Sequence, residues 1–212
     1  MKQYSIIYAD PPWWYSSRIS RGAGTRTKSG NGALGHYDLM KDKDLLAMAT
    51  QIKAITAKRA HLLMWATYPR LDFAVQLLKE WGFKYATVLF TWIKVTKEGL
   101  RLFSNFLISW EDFSKKLPKK GLGSYTASGP EIVLIGRKGK ALPKLKKLAQ
   151  HVYLLPVREH SRKPDEIRKA IEEIWGDVPR VELFCRHPAP GWDVIGDEID
   201  GRDIREVLQE VE

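Results

Sequence analysis

The chain has little cysteine, a shortage of acid and no long apolar run. Its one cysteine, Cys185, cannot form an internal disulfide or a thiolate zinc cluster, which points to a reducing, intracellular compartment. The five histidines (His36, His61, His151, His160 and His187) show no metal-ligand spacing, so no structural metal is expected. The apolar run Ile6 to Ala9 stops at Asp10 and two prolines, too short for a signal peptide or a membrane span. A cytoplasmic location without membrane attachment is therefore expected. No internal repeat and no Pro-, Gly- or Ser-rich linker divides the 212 residues, so one domain, 1–212, is expected. Asp and Glu number 25 against 35 Lys and Arg, a net charge of +10. A small domain this basic commonly binds polyanions, which makes nucleic acid the first partner to expect; a basic surface that merely aids solubility is the plain alternative.

What is present supports a full core. At 44% hydrophobic and 28% charged, the chain is neither disordered nor fibrous. Short apolar runs alternate with amphipathic stretches. Residues 4–9 read as a buried strand cut off by Pro11-Pro12. From Asp42, a plausible N-cap, Leu45, Ala49, Ile52 and Ile55 recur at helical spacing. Residues 61–66 read as a strand. Leu71, Ala74, Leu77, Leu78 and Trp81 mark a helix face that stops at Gly82. Residues 83–95 read as a strand or a pair, and 131–136 and 152–157 as further strands. Pro164, Asp165 and Glu166 open a helix carrying Ile167, Ala170, Ile171 and Ile174. Strands at 181–185 and 192–195 follow, and the tail from Glu198 reads as a surface helix. This alternation predicts an α/β fold, a mostly parallel sheet with helices on both faces.

Two stretches resist assignment, 16–34 and 97–128. The first carries four cations and no acid, and the second contains Lys115, Lys116, Lys119 and Lys120. Each lies downstream of an apolar strand, where α/β proteins keep their sites, so both are expected to be basic binding loops. A third basic run, Arg137 to Lys147, lies in a stretch from Ile132 to Arg158 without any acid, and is expected to meet phosphate beside the site. Trp65, Trp81, Trp92, Trp110 and Trp175 lie in apolar contexts and read as core, as do His61 and Cys185.

The most informative residues are Asp10-Pro11-Pro12-Trp13, at the end of the first strand. A strand-ending carboxylate faces the crevice at the carboxyl edge of such a sheet. Two prolines fix the backbone and donate nothing, leaving rigid carbonyl acceptors, and Trp13 offers a face for a flat ligand. Two acceptors beside an aromatic wall suit the exocyclic amine of a nucleobase, whose delocalised lone pair needs such acceptors before it can attack an electrophile. An ordinary Asp-Pro-Pro turn is the alternative reading.

With its flanking segments the tetrad resembles the DPPW-type adenine-N6 methyltransferases. In order along the chain, His36-Tyr37-Asp38-Leu39-Met40, Leu63-Met64-Trp65-Ala66-Thr67, Glu80-Trp81-Gly82-Phe83 and Thr91–Lys94 are similar to family segments. So are Glu131–Gly136, His160-Ser161-Arg162-Lys163-Pro164, Glu182–Arg186 and Gly191-Trp192-Asp193. The resemblance implies a Rossmann-like class I methyltransferase sheet in permuted order, the catalytic half before the cofactor half. It implies S-adenosylmethionine as cofactor and N6 of adenine as methyl acceptor. Asp10, Pro11, Pro12 and Trp13 would be catalytic, with Tyr37 and Trp14 at the substrate. Lys163, Phe184, Arg186, His187, Asp197 and Glu198 would bind the cofactor, Lys163 through its carboxylate and Asp197 through the ribose. Two positions depart from the family: Gly196-Asp197-Glu198 stands where GNE or GNQ is usual, and Ala127 where many relatives have arginine. DNA is the expected substrate, because compact stand-alone members resemble bacterial or phage enzymes. An RNA methyltransferase and a non-catalytic nucleic-acid-binding subunit remain open, as do homo- and heterodimers.

Overall fold

The structure, a computed structural model, describes residues 2–15, 39–104, 109, 129–145, 150–158 and 162–210. The basic stretch 16–34, Tyr37, most of 105–128 including Lys115–Lys120 and Ala127, and His160-Ser161 lie outside them. Among the described residues seven strands form one sheet: β1 (Tyr4–Ala9), β2 (Thr56–Ala66), β3 (Lys84–Val95), β4 (Glu131–Lys138), β5 (Val152–Pro156), β6 (Arg180–Leu183) and β7 (Asp193–Ile195). Their order is β5-β3-β4-β2-β1-β6-β7. Six strands run in one direction, and β4 alone is antiparallel to its neighbours β2 and β3. The chain leaves β1 toward β2 on one side and returns later to β6 on the other. The carboxyl ends of β1 and β6 therefore flank a topological switch point, where open α/β sheets bind ligands.

Apolar residues at helical spacing dock helices on both faces. On one face lie α1 (Asp42–Ala47), α2 (Ala49–Ile55) and α3 (Leu71–Glu80), packing Leu45, Ile52, Ile55, Leu77 and Leu78 against Ile7, Leu62, Met64 and Leu134. On the other face α5 (Asp165–Trp175) sets Ile167, Ile171 and Trp175 against Tyr8, Leu63, Trp65 and Phe90. Between these in sequence, α4 (Lys97–Ser104) follows β3, and α6 (Asp197–Asp200) and α7 (Ile204–Gln209) close the chain.

Several boundaries differ from the sequence reading. The helix expected from Asp42 breaks at Met48, and Asp42 is its first residue rather than its cap; Lys41 precedes it without a side-chain cap bond. β2 begins five residues earlier than expected, and 83–95 is one strand with bulged pairing to β4, not two. The start of the stretch expected to be irregular is helical as α4, where the Gly99 N–H is capped by Thr96 Oγ1. The tail also differs: Ile204 and Leu208 of α7 are buried in the core, so α7 is a packed helix rather than a surface one. Trp65, Trp81, Trp92 and Trp175 are all buried, as expected.

One close approach fixes how α3 seats on the sheet. A Cβ at Gly136 of β4 would stand 2.5 Å from Leu78 Cδ2 and 2.9 Å from its Cγ. Leu78 is fully buried and has nowhere to swing. Gly136→Ala is expected to cost about 1–3 kcal/mol through overpacking. A melting temperature equal to the parent's in a calorimetric scan would refute this contact.

Candidate active site

β1 delivers Asp10 to the carboxyl edge of the sheet, and the next two residues hold it there. Pro12 O accepts the Met40 N–H at 2.9 Å, and Trp13 bridges to Met40, which pins the segment to the chain entering α1. Pro11 O accepts the Trp13 N–H at 2.8 Å. The two proline carbonyls are thus not the unpaired acceptors the sequence suggests. Each keeps a second lone pair, so Pro11 O can still accept a hydrogen from a ligand.

Side chains from five segments surround Asp10 in a pocket of about 160 Å³. Its lining includes Pro11, Pro12, Trp13 and Tyr15 from the β1 end, Trp65 and Thr67 from the β2 end, and Glu131, Lys163 and Arg186. Lys163 is the hub. Its Nζ lies 2.7 Å from Asp10 Oδ2 and 3.3 Å from Glu131 Oε2. Glu131 also pairs with Lys94, the last residue of the Thr91–Lys94 segment. All three side chains of the hub are largely covered, at 15% exposure for Lys163, 23% for Asp10 and 14% for Glu131. The Lys163 ammonium also sits 5.4 Å from the centre of the Trp65 ring. The indole N–H of Trp65 donates to Tyr8 Oη at 2.5 Å, which fixes the ring, and Tyr15 Oη bonds Thr67 Oγ1 at 2.8 Å.

The two carboxylates respond differently to these neighbours. Burial raises the Asp10 carboxyl above its ordinary range; Lys163 and Arg186 oppose this without cancelling it, and Glu131 adds to it. Burial also pushes Glu131 up, but Lys163 and Lys94 together outweigh it and hold that carboxyl below its usual range. Asp10 is therefore the group ready to take a proton, and Glu131 the fixed anion that anchors Lys163.

Of the remaining expected site residues, Trp13 and Arg186 line this pocket, whereas Trp14, Phe184, His187, Asp197 and Glu198 are not part of its lining. Trp13 lines it, yet only 5% of its surface is exposed and its ring packs edge-on to Phe73 at 6.1 Å. It serves as a wall and not as the open stacking face expected. Trp14, at 40% exposure, is the open aromatic next to it. Arg186 joins the Asp10 pocket itself. Phe184, at the turn leaving β6, has φ 60, and among the described residues no other non-glycine residue adopts positive φ. Such a conformation costs about 1 kcal/mol and tends to mark sites where the chain is shaped for a ligand. Asp197 opens α6 just beyond β7, at the same sheet edge as Asp10, and its Oδ1 accepts the Ile204 N–H at 3.0 Å. His187 is exposed, and its carbonyl accepts from Cys185 Sγ at 2.9 Å. Glu198 lies within α6. Tyr37 is outside the described residues.

Sequence reasoning missed Glu131 and Lys94 as site residues. Both lay inside the quoted segments, as the first and last residues of their motifs, but they read there as parts of strands. One expectation fails outright. Arg137, Lys138, Lys140 and Lys144 do not flank the pocket, because β4 runs antiparallel and carries them to the opposite edge of the sheet.

Among the described residues, the seven-stranded sheet with one reversed strand and helices on both faces agrees with a Rossmann-like methyltransferase fold, and the Asp10–Lys163 pair stands at its switch point. The chain belongs to the MT-A70 family, whose sequence profile matches residues 4–198. It is 29% identical over 213 residues to the type II methyltransferase M.MunI of a Mycoplasma species, covering 96% of this chain and 81% of that protein. It is 25% identical to the N(6)-adenosine-methyltransferase MT-A70-like protein of Drosophila melanogaster, across 94% of this chain and 27% of the relative. To the human N(6)-adenosine-methyltransferase catalytic subunit METTL3 the identity is 23%, across 94% of this chain and 29% of the relative. The chain thus spans little more than a quarter of these two animal relatives.

Proposed function

We propose that this protein transfers a methyl group from S-adenosylmethionine to N6 of adenine in DNA. The observation that carries the reading is Asp10, fixed by Lys163 in a pocket with aromatic walls at the carboxyl end of β1. At about 160 Å³ the pocket falls short of the roughly 300 Å³ of a drug-sized site, which suits a single planar ring. Adenine would enter flipped out of a duplex or already unpaired, because its amine is otherwise engaged.

The Asp10 carboxylate and the Pro11 carbonyl accept the two amine hydrogens and draw the nitrogen toward a tetrahedral, nucleophilic form. Lys163, tethered by Glu131, keeps the second oxygen of Asp10 occupied and so aims the first. Asp10 takes up the proton that N6 loses on methylation, a role its raised pKa favours. Trp13, Trp65 and Tyr15 exclude water around the ring.

The donor set fits the cofactor. Lys163 and Arg186 are cations for its carboxylate, the Asp197 carboxylate is an acceptor for ribose hydroxyls, and the turn at Phe184 lies between them in sequence. Tyr37, Trp14, His187 and Glu198 complete the set of residues we assign to substrate and cofactor. S-adenosylmethionine, when bound, supplies the methyl group as a sulfonium electrophile.

For DNA over RNA, the support is that the chain matches the type II methyltransferase across most of that protein, and the adenosine methyltransferases across only a quarter or so of theirs. A competition between matched DNA and RNA oligonucleotides, each with one unpaired adenine, tests the choice. Label is expected in the DNA, and label chiefly in the RNA would reverse it. Among the described residues no helix is long and apolar enough to cross a membrane. We place the protein in the cytoplasm of a bacterial or phage-infected cell, where its buried Cys185, with a thiol pushed up to about 11 by burial, stays reduced and inert.

A further inference from the structure

β4 begins in the pocket with Glu131 and ends at Lys138, so its eight residues put about 24 Å between the pocket and the far edge of the sheet. That far edge is strongly basic. Strand pairing sets Ala60 against Lys138 and His61 against Arg137, which brings Lys58 and Arg59 beside the end of β4. The β3 pairing adds Lys84, opposite Arg137. The turn after β4 folds back tightly onto β2, because a Cβ at Gly139 would lie 2.4 Å from Lys58 O. Arg59 then donates to Lys140 O at 3.4 Å and to Ala141 O at 2.7 Å, and Lys138 Nζ to Thr56 O at 3.3 Å.

These contacts are all to backbone carbonyls, which leaves the positive charge uncompensated. Among the described residues Lys58, Arg59, Arg137, Lys138, Lys140 and Lys144 form no ion pair with a carboxylate, and residues 52–60 and 132–158 contain no Asp or Glu. Around the pocket and α5 the cations are neutralised: Lys94, Lys163, Arg158 and Arg168 are all paired with carboxylates. Natural surfaces intersperse the two signs, and a cluster of cations with no carboxylate paired to it is suited to steering and gripping a polyanion. Arg137 and Lys144 also line a cleft of about 400 Å³ that reaches in to Trp175 beneath the same edge.

We infer that the sheet edge opposite the pocket is a second nucleic-acid contact surface, on which Lys58, Arg59, Arg137, Lys138, Lys140 and Lys144 hold phosphates remote from the base being modified. At about 3.4 Å per base pair, 24 Å corresponds to roughly seven base pairs, so a duplex lying along one flank of the sheet reaches from one edge to the other. The surface provides grip without chemistry, and it stands or falls independently of methyl transfer.

The test is fluorescence anisotropy with a labelled duplex of about 30 base pairs, long enough to touch both edges, titrated across a range of salt. The charge-reversed variant Lys58→Glu/Lys140→Glu/Lys144→Glu changes three exposed side chains. It is expected to bind about ten-fold or more weakly at low salt, with a log–log salt slope shallower by about 2–3. Lys140→Glu alone, at an exposed bend, keeps the parent's melting temperature and lowers the slope by about 1. Unchanged affinity and slope in both variants would overturn the inference. It would equally be overturned if only binding to phosphatidylserine vesicles were lost while duplex binding stayed intact.

Discussion

Asp10→Ala is expected to lower the rate of methyl transfer by about 10²–10⁴-fold, the range associated with loss of a positioned proton acceptor or a preorganised charge. The variant loses the acceptor for the amine and also the group that Lys163 aims into the pocket. It should not unfold. Burial raises the Asp10 carboxyl in the folded state, so its charged form is penalised at neutral pH, and that penalty disappears only below its unfolded pKa. Removing the carboxyl removes the penalty, and Lys163 keeps Glu131 as a partner. The melting temperature is accordingly expected to hold while the rate collapses. The same direction of shift fixes the pH profile: the rate should fall with acid at a pH above the ordinary carboxylate range, as Asp10 takes up a proton. Lys163→Gln removes the main opposing cation and should move that limb further up. An Asp10→Ala rate within ten-fold of the parent would show that the acid has no part in the chemistry.

Arg168→Ala is expected to carry the largest stability cost. Arg168 meets the buried Glu182 through two bonds, Nε to Oε2 at 2.5 Å and Nη2 to Oε1 at 2.9 Å, and also holds Asp165 at 2.6 Å. The pair ties α5 to β6 at Glu182, the register partner of Tyr8 on β1. Removing the arginine strands a carboxylate that burial already pushes up and that Arg168 chiefly holds back, with a smaller contribution from a hydrogen bond to Cys185. Breaking a buried pair on one side costs about 3–5 kcal/mol, or roughly 10 °C of melting temperature for a chain of this length. Without the arginine, the folded pKa of Glu182 lies still further above its unfolded value. The deficit is therefore complete at neutral pH and narrows as pH falls and Glu182 is protonated. Arg168→Met/Glu182→Leu, which removes both charges, should recover most of the loss. A scan in which Arg168→Ala melts with the parent would show the pair to be dispensable.

The fold was legible wherever residue pattern decides it. The strand expected over 181–185, the Leu71–Trp81 face and the α5 face follow from apolar pattern; the two faces pack as expected and the strand runs Arg180–Leu183, because apolar spacing is what burial selects. Strand direction was not legible, since an apolar run looks the same in either sense. The reversal of β4 is why Glu131 reaches the pocket while Arg137 and Lys140 reach the far edge. Met48 breaks a continuous helical pattern with no Gly or Pro to announce it, and Ile204 and Leu208 were too few in an acidic tail to signal burial. At the site, the motifs gave Asp10, Lys163 and Arg186 but not their meeting in one pocket, because contacts 153 residues apart leave no local trace. Trp13 follows the same logic. An aromatic beside two prolines looks free to stack, and only tertiary packing, with Phe73 in an edge contact and the Arg70 guanidinium 5.8 Å over the ring, covers it.

Mass spectrometry of nucleosides from DNA incubated with the protein and S-adenosylmethionine, beside the Asp10→Ala variant, tests the central claim most directly. N6-methyladenine is expected to accumulate with the parent and to stay at background with the variant. No N6-methyladenine above that background, in DNA or in a parallel RNA incubation, would contradict the assignment of this pocket to adenine methylation.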